Sequence, residues 1–132
     1  IDTAKKLGVS ADIAETIIPL GTSFHKDGSI IGSAFKIMFL VSLFGSSVGF
    51  FKVLVVSLLV TLLVTAVPIG GGTISEMMIL TLMGFPVNAL PILTIIATII
   101  DAPATVLNVV GDTASSMLTA RIVDGKNWMK EK

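Results

Sequence analysis

Apolar residues dominate the chain from Ile37 to Ala120, and polar positions punctuate that run rather than alternate with it. Residues 1–18 are different. They read as amphipathic, with Ser10 as a helix N-cap, Asp12 near the positive end of the helix dipole, and Ile13, Ile17 and Ile18 on one side. The stretch Pro19-Leu-Gly-Thr-Ser-Phe-His-Lys-Asp-Gly-Ser29 interrupts this helix, and an apolar run of helical length resumes from Ser29 to Phe51. Taken as one path, 11–51 is a membrane-spanning segment broken near its middle. Irregular backbone at membrane depth persists only where protein buries it or where it lines a cavity, so the break marks a candidate site.

Two further apolar arms, Val53–Val67 and Thr73–Gly84, flank Pro68-Ile-Gly-Gly-Gly72. Each arm is roughly 18–22 Å long as a helix, against the roughly 30 Å of a bilayer core. The spacing therefore predicts a re-entrant hairpin over 53–84. Pro86 to Pro91 reads as a loop. Residues 92–120 read as one helix of about 43 Å, long enough to span with tilt. Residues 121–132 read as a polar, basic tail. The predicted fold is an all-α membrane protein with a broken helix, a re-entrant helical hairpin and a final transmembrane helix.

Composition supports the membrane and removes several function classes. Of 132 residues, 53% are hydrophobic and 14% charged, and the 84 residues from Ile37 to Ala120 carry only Lys52, Glu76, Asp101 and Asp112. A soluble fold of this size could not bury that much apolar surface. Nine basic residues against nine acidic ones leave no basic excess for nucleic acid, and the absence of cysteine removes disulfide scaffolds and thiolate metal sites. The opening at Ile1 lacks a signal-peptide pattern, and the chain reads as a piece of a longer one. With Lys5 and Lys6 at one end and Arg121, Lys126, Lys130 and Lys132 at the other, the positive-inside rule places both ends in the cytoplasm of a multi-pass plasma-membrane protein.

The strongest chemical signal lies on the last helix. Asp101, Thr105, Asn108 and Asp112 stand at offsets 0, 4, 7 and 11. At about 100° per residue they share one narrow face. Two carboxylates and a carboxamide in a row are expensive at membrane depth and face a polar cavity, and such oxygen-rich sets suit hard cations. The plainer reading is interhelical hydrogen bonding. The second signal is His25-Lys26-Asp27-Gly28-Ser29, where an unwound segment offers backbone groups to a ligand. Here Lys26 and Asp27 either neutralise each other or act on a ligand. The glycines at 70–72 permit a tight tip but do not form a nucleotide loop. Glu76 reads as solvated at the hairpin mouth, and Met77, Met78 and Met83 as packing. No zinc-ligand spacing and no activated nucleophile is present in the sequence, which argues against an enzyme.

Three patterns in this order and spacing resemble the dicarboxylate/amino acid:cation symporter family, and the likeness covers nearly the whole chain. They are Pro19-Leu-Gly21 followed by Asp27-Gly28-Ser29, the glycine-rich tip, and Asp101-X-X-X-Thr105-X-X-Asn108-X-X-Gly111-Asp112. The resemblance implies the C-terminal part of a transport domain: broken helix seven (11–51), re-entrant hairpin two (53–84), helix eight (92–120) and a cytoplasmic tail (121–132). It implies that Asn108 holds the substrate carboxylate and contributes to cation binding, that Asp101 pairs with an amino acid's ammonium, and that Thr105 lies on the substrate side. Ser29, Gly71, Gly72 and Ala104 complete the implied substrate group. Gly21, Ser23, Lys26, Asp27, Asn108 and Asp112 form the implied cation group, with Na⁺ at Gly21, Asn108 and Asp112. Residues 61–72 match a hairpin that closes as an extracellular gate. Upstream helices of the same transporter, a lipid bilayer and a homotrimer are the implied partners, with no cofactor beyond Na⁺ or H⁺ as coupling ion.

The departures from the family pattern redirect the expectation. Ala104 stands where acidic-substrate members carry an arginine, Pro103 replaces a glycine, and Lys26 replaces a methionine near the sodium sites. An arginine would clamp a side-chain carboxylate in two hydrogen bonds, and alanine cannot. The expected function is therefore secondary active symport of a small, neutral amino acid coupled to Na⁺ or H⁺. The alternatives are a dicarboxylate or acidic amino acid symporter and a non-concentrating channel-like or receptor-like membrane subunit. A further expectation is that the Lys26 ammonium occupies the place of a bound sodium, pairing with Asp27 or Asp112.

Overall fold

A computed structural model describes residues 1–65 and 71–129, and among these the regular structure is entirely helical. The helices are α1 (Asp2–Lys6), α2 (Ala11–Phe24), α3 (Asp27–Leu43), α4 (Phe50–Thr65), α5 (Gly71–Met83) and α6 (Leu90–Val123), with a 3₁₀ turn at Val87–Ala89 before α6. The chain divides into two compact units. One comprises Ile1–Lys26 with Val106–Lys132, and the other Asp27–Thr105.

In the Asp27–Thr105 unit, α4 packs against both α3 and α5. The core is made by Ile37 and Leu40 of α3, Val53, Val56 and Val60 of α4, Ile79, Leu80 and Met83 of α5, Ala89, and Leu93 of α6. These positions recur every three or four residues, the spacing of one helix face. The opposite faces are apolar too: Phe50 is 81% exposed and Ile99 70% exposed. A helix apolar all round is stable only in lipid or a deep core. The Phe44 and Phe85 rings stack with centroids 5.4 Å apart, joining the end of α3 to the turn after α5.

Helix α4 has 16 residues and α5 has 13. At 1.5 Å per residue they reach about 24 and 20 Å, so neither crosses a bilayer core. Val87–Val123 is, among the described residues, the one stretch long and apolar enough to do so. Of the tip expected at residues 68–72, 68–70 lie outside the described residues, as does the end of the tail at 130–132, while Gly71 and Gly72 already belong to α5. Threonine hydroxyls along the helices donate to the carbonyl one turn back, as Thr98 does to Thr94 at 2.9 Å and Thr113 to Val109 at 3.1 Å. That habit satisfies a hydroxyl where water is scarce.

In the other unit, Ala4, Val9, Ala14, Ala120 and Trp128 form a second small core. The segment read from the sequence as a polar tail is therefore anchored: Trp128 is only 6% exposed. The backbone turns back after α6 at Gly125, whose φ of +82° is open to glycine without strain. Ser10 does take the N-cap position of α2 with extended backbone, but its side chain makes no capping hydrogen bond. An ion pair between Lys5 and Glu15 ties α1 to α2 at the surface. The carboxylate beside it holds the Lys5 ammonium above the ordinary lysine range.

Candidate functional site

The break expected across Pro19–Ser29 is narrower than the sequence marks. Helix α2 continues through Pro19 to Phe24, and only His25 and Lys26 stand between α2 and α3. Proline lacks an N–H and so removes one helical bond. The Pro19 carbonyl nevertheless accepts hydrogen bonds from the Thr22 hydroxyl at 2.8 Å and the Ser23 hydroxyl at 3.4 Å. Ser23, expected in the cation group, is thus exposed and turned onto its own helix. The His25 N–H closes the helix by donating to the Gly21 carbonyl at 2.7 Å.

Around this end of α2 lies a dense cluster within the Ile1–Lys26 and Val106–Lys132 unit. Asp112 of α6 is only 4% exposed. Its Oδ1 is 3.3 Å from the His25 Nδ1, an ion-pair distance without the alignment of a hydrogen bond. A methyl group added at Gly21 would fall 2.5 Å from the same Oδ1. A methyl group at Gly111 would meet the His25 ring. Two glycines therefore let two helices and an imidazole converge on one carboxylate. A buried carboxylate oxygen without an aligned donor costs free energy unless a cation or proton completes it. A carboxylate oxygen is the kind of hard ligand that a small cation takes, and the Gly21 backbone lies close against it.

Helix α6 runs unbroken through Pro103, so Asp101, Thr105, Asn108 and Asp112 share one helix face as their spacing predicts. Asp101 and Thr105 are exposed, Asn108 is half-buried and Asp112 is buried. In the Asp27–Thr105 unit, Asp27 opens α3, where a carboxylate suits the helix dipole, and Ser29 lies in the same first turn, half-buried. Gly28 is buried against α6: a methyl group there would strike the Ala104 carbonyl oxygen and fall 2.9 Å from its carbon. Ala104 thus sits at a backbone-to-backbone contact. Lys26 is half-buried in the two-residue break. Gly71 begins α5, and the Gly72 carbonyl accepts a hydrogen bond from the Ser75 hydroxyl at 2.6 Å.

The expectation for Glu76 is overturned. Glu76, read as solvated, is 2% exposed, and its Oε2 accepts a hydrogen bond from the Thr94 hydroxyl of α6 at 2.7 Å. The cause is its register: Glu76 stands three, four and seven residues before Ile79, Leu80 and Met83, which form the buried face of α5. That spacing was the signal available in the sequence. The His25–Asp112 approach carried no comparable signal, because it joins residues far apart in the chain.

Comparison with known proteins decides the family. A model described as the sodium:dicarboxylate symporter family matches residues 1–122. The chain belongs to that family. It is 30% identical over 125 residues to the proton/sodium-glutamate symport protein of Bacillus caldotenax, covering 92% of this chain and 29% of that protein. It is 30% identical over 126 residues to the neutral amino acid transporter B(0) of Rattus norvegicus, covering 91% of this chain and 22% of that protein. The proton/glutamate-aspartate symporter of Escherichia coli is 28% identical over 125 residues, 92% of this chain and 28% of that protein. The chain thus spans between about a fifth and a third of the length of these relatives. No solved structure gives a significant match. The family is one of membrane symporters, not enzymes.

Proposed function

We propose that this chain is the part of a secondary symporter that holds the coupling cation and a small, neutral amino acid. The observation that carries the reading is the buried Asp112 carboxylate, with its Oδ1 at the Gly21 backbone and lacking an aligned hydrogen-bond donor. A Na⁺ held there would neutralise a charge that is otherwise costly at membrane depth. His25 is the neighbour that would share the carboxylate with the ion. Relatives named for sodium and for proton coupling both match the chain, which supports a coupling ion without choosing between the two.

For the substrate, the reading stays with the polar face of α6. Asp101 takes the ammonium, Asn108 the carboxylate, and Thr105 the same side. Ala104 supplies no cation for a second carboxylate, which favours neutral amino acids over dicarboxylates. The match to a neutral amino acid transporter supports this, and the matches to glutamate symporters keep the acidic alternative alive. Residues 61–72 would close as the extracellular gate. The homotrimer, the upstream helices of the same transporter, the plasma membrane and the cytoplasmic position of both ends belong to the same proposal.

The test is sodium binding by the full-length transporter carrying Asp112→Asn. The variant keeps the shape of the side chain and removes the charge. Sodium should raise the unfolding temperature of the wild type, and the variant should need at least about tenfold more sodium for the same rise, the loss of one charged ligand. Identical sodium dependence in both proteins refutes the cation site.

A further inference from the structure

Among the charged side chains of the Asp27–Thr105 unit that have no part in that reading are Lys36 and Glu76. Glu76 lies on α5, buried to 2% exposure and held by the Thr94 hydroxyl of α6. Lys36 lies on α3 and is half-buried. Its height along α6 follows from the packing of the two helices. Added methyl groups at Gly28 and Gly32 would meet Ala104 and Ile100 respectively, so α3 and α6 run antiparallel in close contact. One further turn brings position 36 level with about residue 96, between Thr94 and Asp101. Glu76 is held at Thr94, at about the height of position 36, and Asp101 lies little more than a turn further along α6, so both carboxylates are within electrostatic reach of the half-buried Lys36.

The charges of these three groups do not cancel. One ammonium faces two carboxylates, leaving one negative charge for an incoming cation to balance. At membrane depth such an imbalance is costly, and low polarity lengthens the reach of each charge. Removing either Lys36 or Glu76 changes that balance in opposite directions. Without Glu76, Lys36 neutralises Asp101 and repels a second ammonium. Without Lys36, two carboxylates face the substrate's ammonium.

We infer that Lys36 is a specificity-determining residue: its ammonium is a resident competitor for Asp101, held off it by the buried Glu76 of the hairpin arm. The inference rests on the reading that Asp101 receives the substrate's ammonium. It deepens that reading by making the choice between amino acids and amine-free carboxylates depend on α3 and α5 as well as on α6.

The experiment compares alanine with lactate, which carries a hydroxyl in place of the amino group, as competitors of uptake by the full-length transporter in proteoliposomes. Lys36→Gln should raise the preference for alanine over lactate about tenfold, and Glu76→Gln should lower it about tenfold, the effect of one charge partner at a partly solvated site. A preference that stays constant in both variants, or moves the same way in both, overturns the inference. Thermal unfolding supplies a readout that needs no substrate. Lys36→Gln should lower the unfolding temperature by stranding a buried carboxylate, and adding Glu76→Gln should restore it. Equal losses in both backgrounds overturn the pairing. If neither alanine nor lactate competes in the wild type, the amino acid reading fails and the specificity role with it, while the thermal cycle still judges the ion pair.

Discussion

Replacing Gly28 by alanine sets two well-measured effects against each other. In a helix, Gly→Ala ordinarily stabilises by about 0.5–1 kcal/mol, because alanine loses less backbone freedom on folding. At Gly28 the added methyl group would strike the Ala104 carbonyl oxygen and sit 2.9 and 3.0 Å from its carbon and Cα. These are backbone atoms of α6, which cannot rotate away as a side chain can. Overpacking of this kind costs about 1–3 kcal/mol. The net effect of Gly28→Ala should then be a loss of up to roughly 2.5 kcal/mol. The assay is denaturant titration of the full-length protein, with Gly45→Ala as a strained-turn control, since Gly45 has a φ of +59° and no neighbour near an added methyl group. Adding Ala104→Gly should not rescue Gly28→Ala, because the clash is with main chain rather than with the Ala104 methyl group. A Gly28→Ala protein more stable than the wild type refutes the close contact between α3 and α6.

Other substitutions test other parts of the account. Trp128→Ala should cost about 3–5 kcal/mol by emptying the small core with Ala4, Val9, Ala14 and Ala120, and Trp128→Phe clearly less; thermal unfolding that is unchanged in both would mean the segment is not anchored. Ala104→Arg should improve competition by aspartate at least about tenfold over competition by alanine, by supplying a bidentate partner for a second carboxylate; an unchanged ratio places the specificity elsewhere. If Lys26 stands in for a sodium ion, uptake that is indifferent to sodium in the wild type becomes sodium-dependent in Lys26→Met. Equal sodium dependence in the two proteins removes that role.

Much of the architecture was legible in one dimension because it depends on length and local pattern. The arms around residues 68–72 are too short to span and the helix that follows is long enough, and both facts can be counted in residues. The polar face of α6 is likewise a matter of spacing along one helix. The break before α3 was legible in position but not in extent. Pro19 and Gly21 read as breakers, yet the hydroxyls of Thr22 and Ser23 engage the Pro19 carbonyl and the helix continues to Phe24. Gly21 serves packing rather than a turn, admitting the Asp112 carboxylate to the helix backbone.

What stayed hidden depended on partners distant in sequence. Glu76 looked solvated because a glutamate near a hairpin mouth has water as its default partner. Its Thr94 hydrogen bond is supplied by another helix, although the shared face with Ile79, Leu80 and Met83 did mark it as buried. Trp128 looked like part of a polar tail because most of the residues around it, Asp124, Lys126, Asn127 and Lys130 among them, are charged or polar. Its partners are Ala4, Val9 and Ala14, more than a hundred residues earlier. The approach of His25 to Asp112 needed the fold, since nothing in a lone histidine announces which carboxylate it faces.

The central claim is that this chain contributes the binding machinery of a cation-driven amino acid symporter. Uptake by the full-length protein in proteoliposomes tests it most directly, with sodium and proton gradients imposed separately and neutral amino acids and dicarboxylates offered in parallel. The account predicts accumulation of a neutral amino acid above its external concentration, driven by one of the two gradients and abolished when that gradient is dissipated. Flux that only equilibrates the substrate, whatever gradient is imposed, contradicts it.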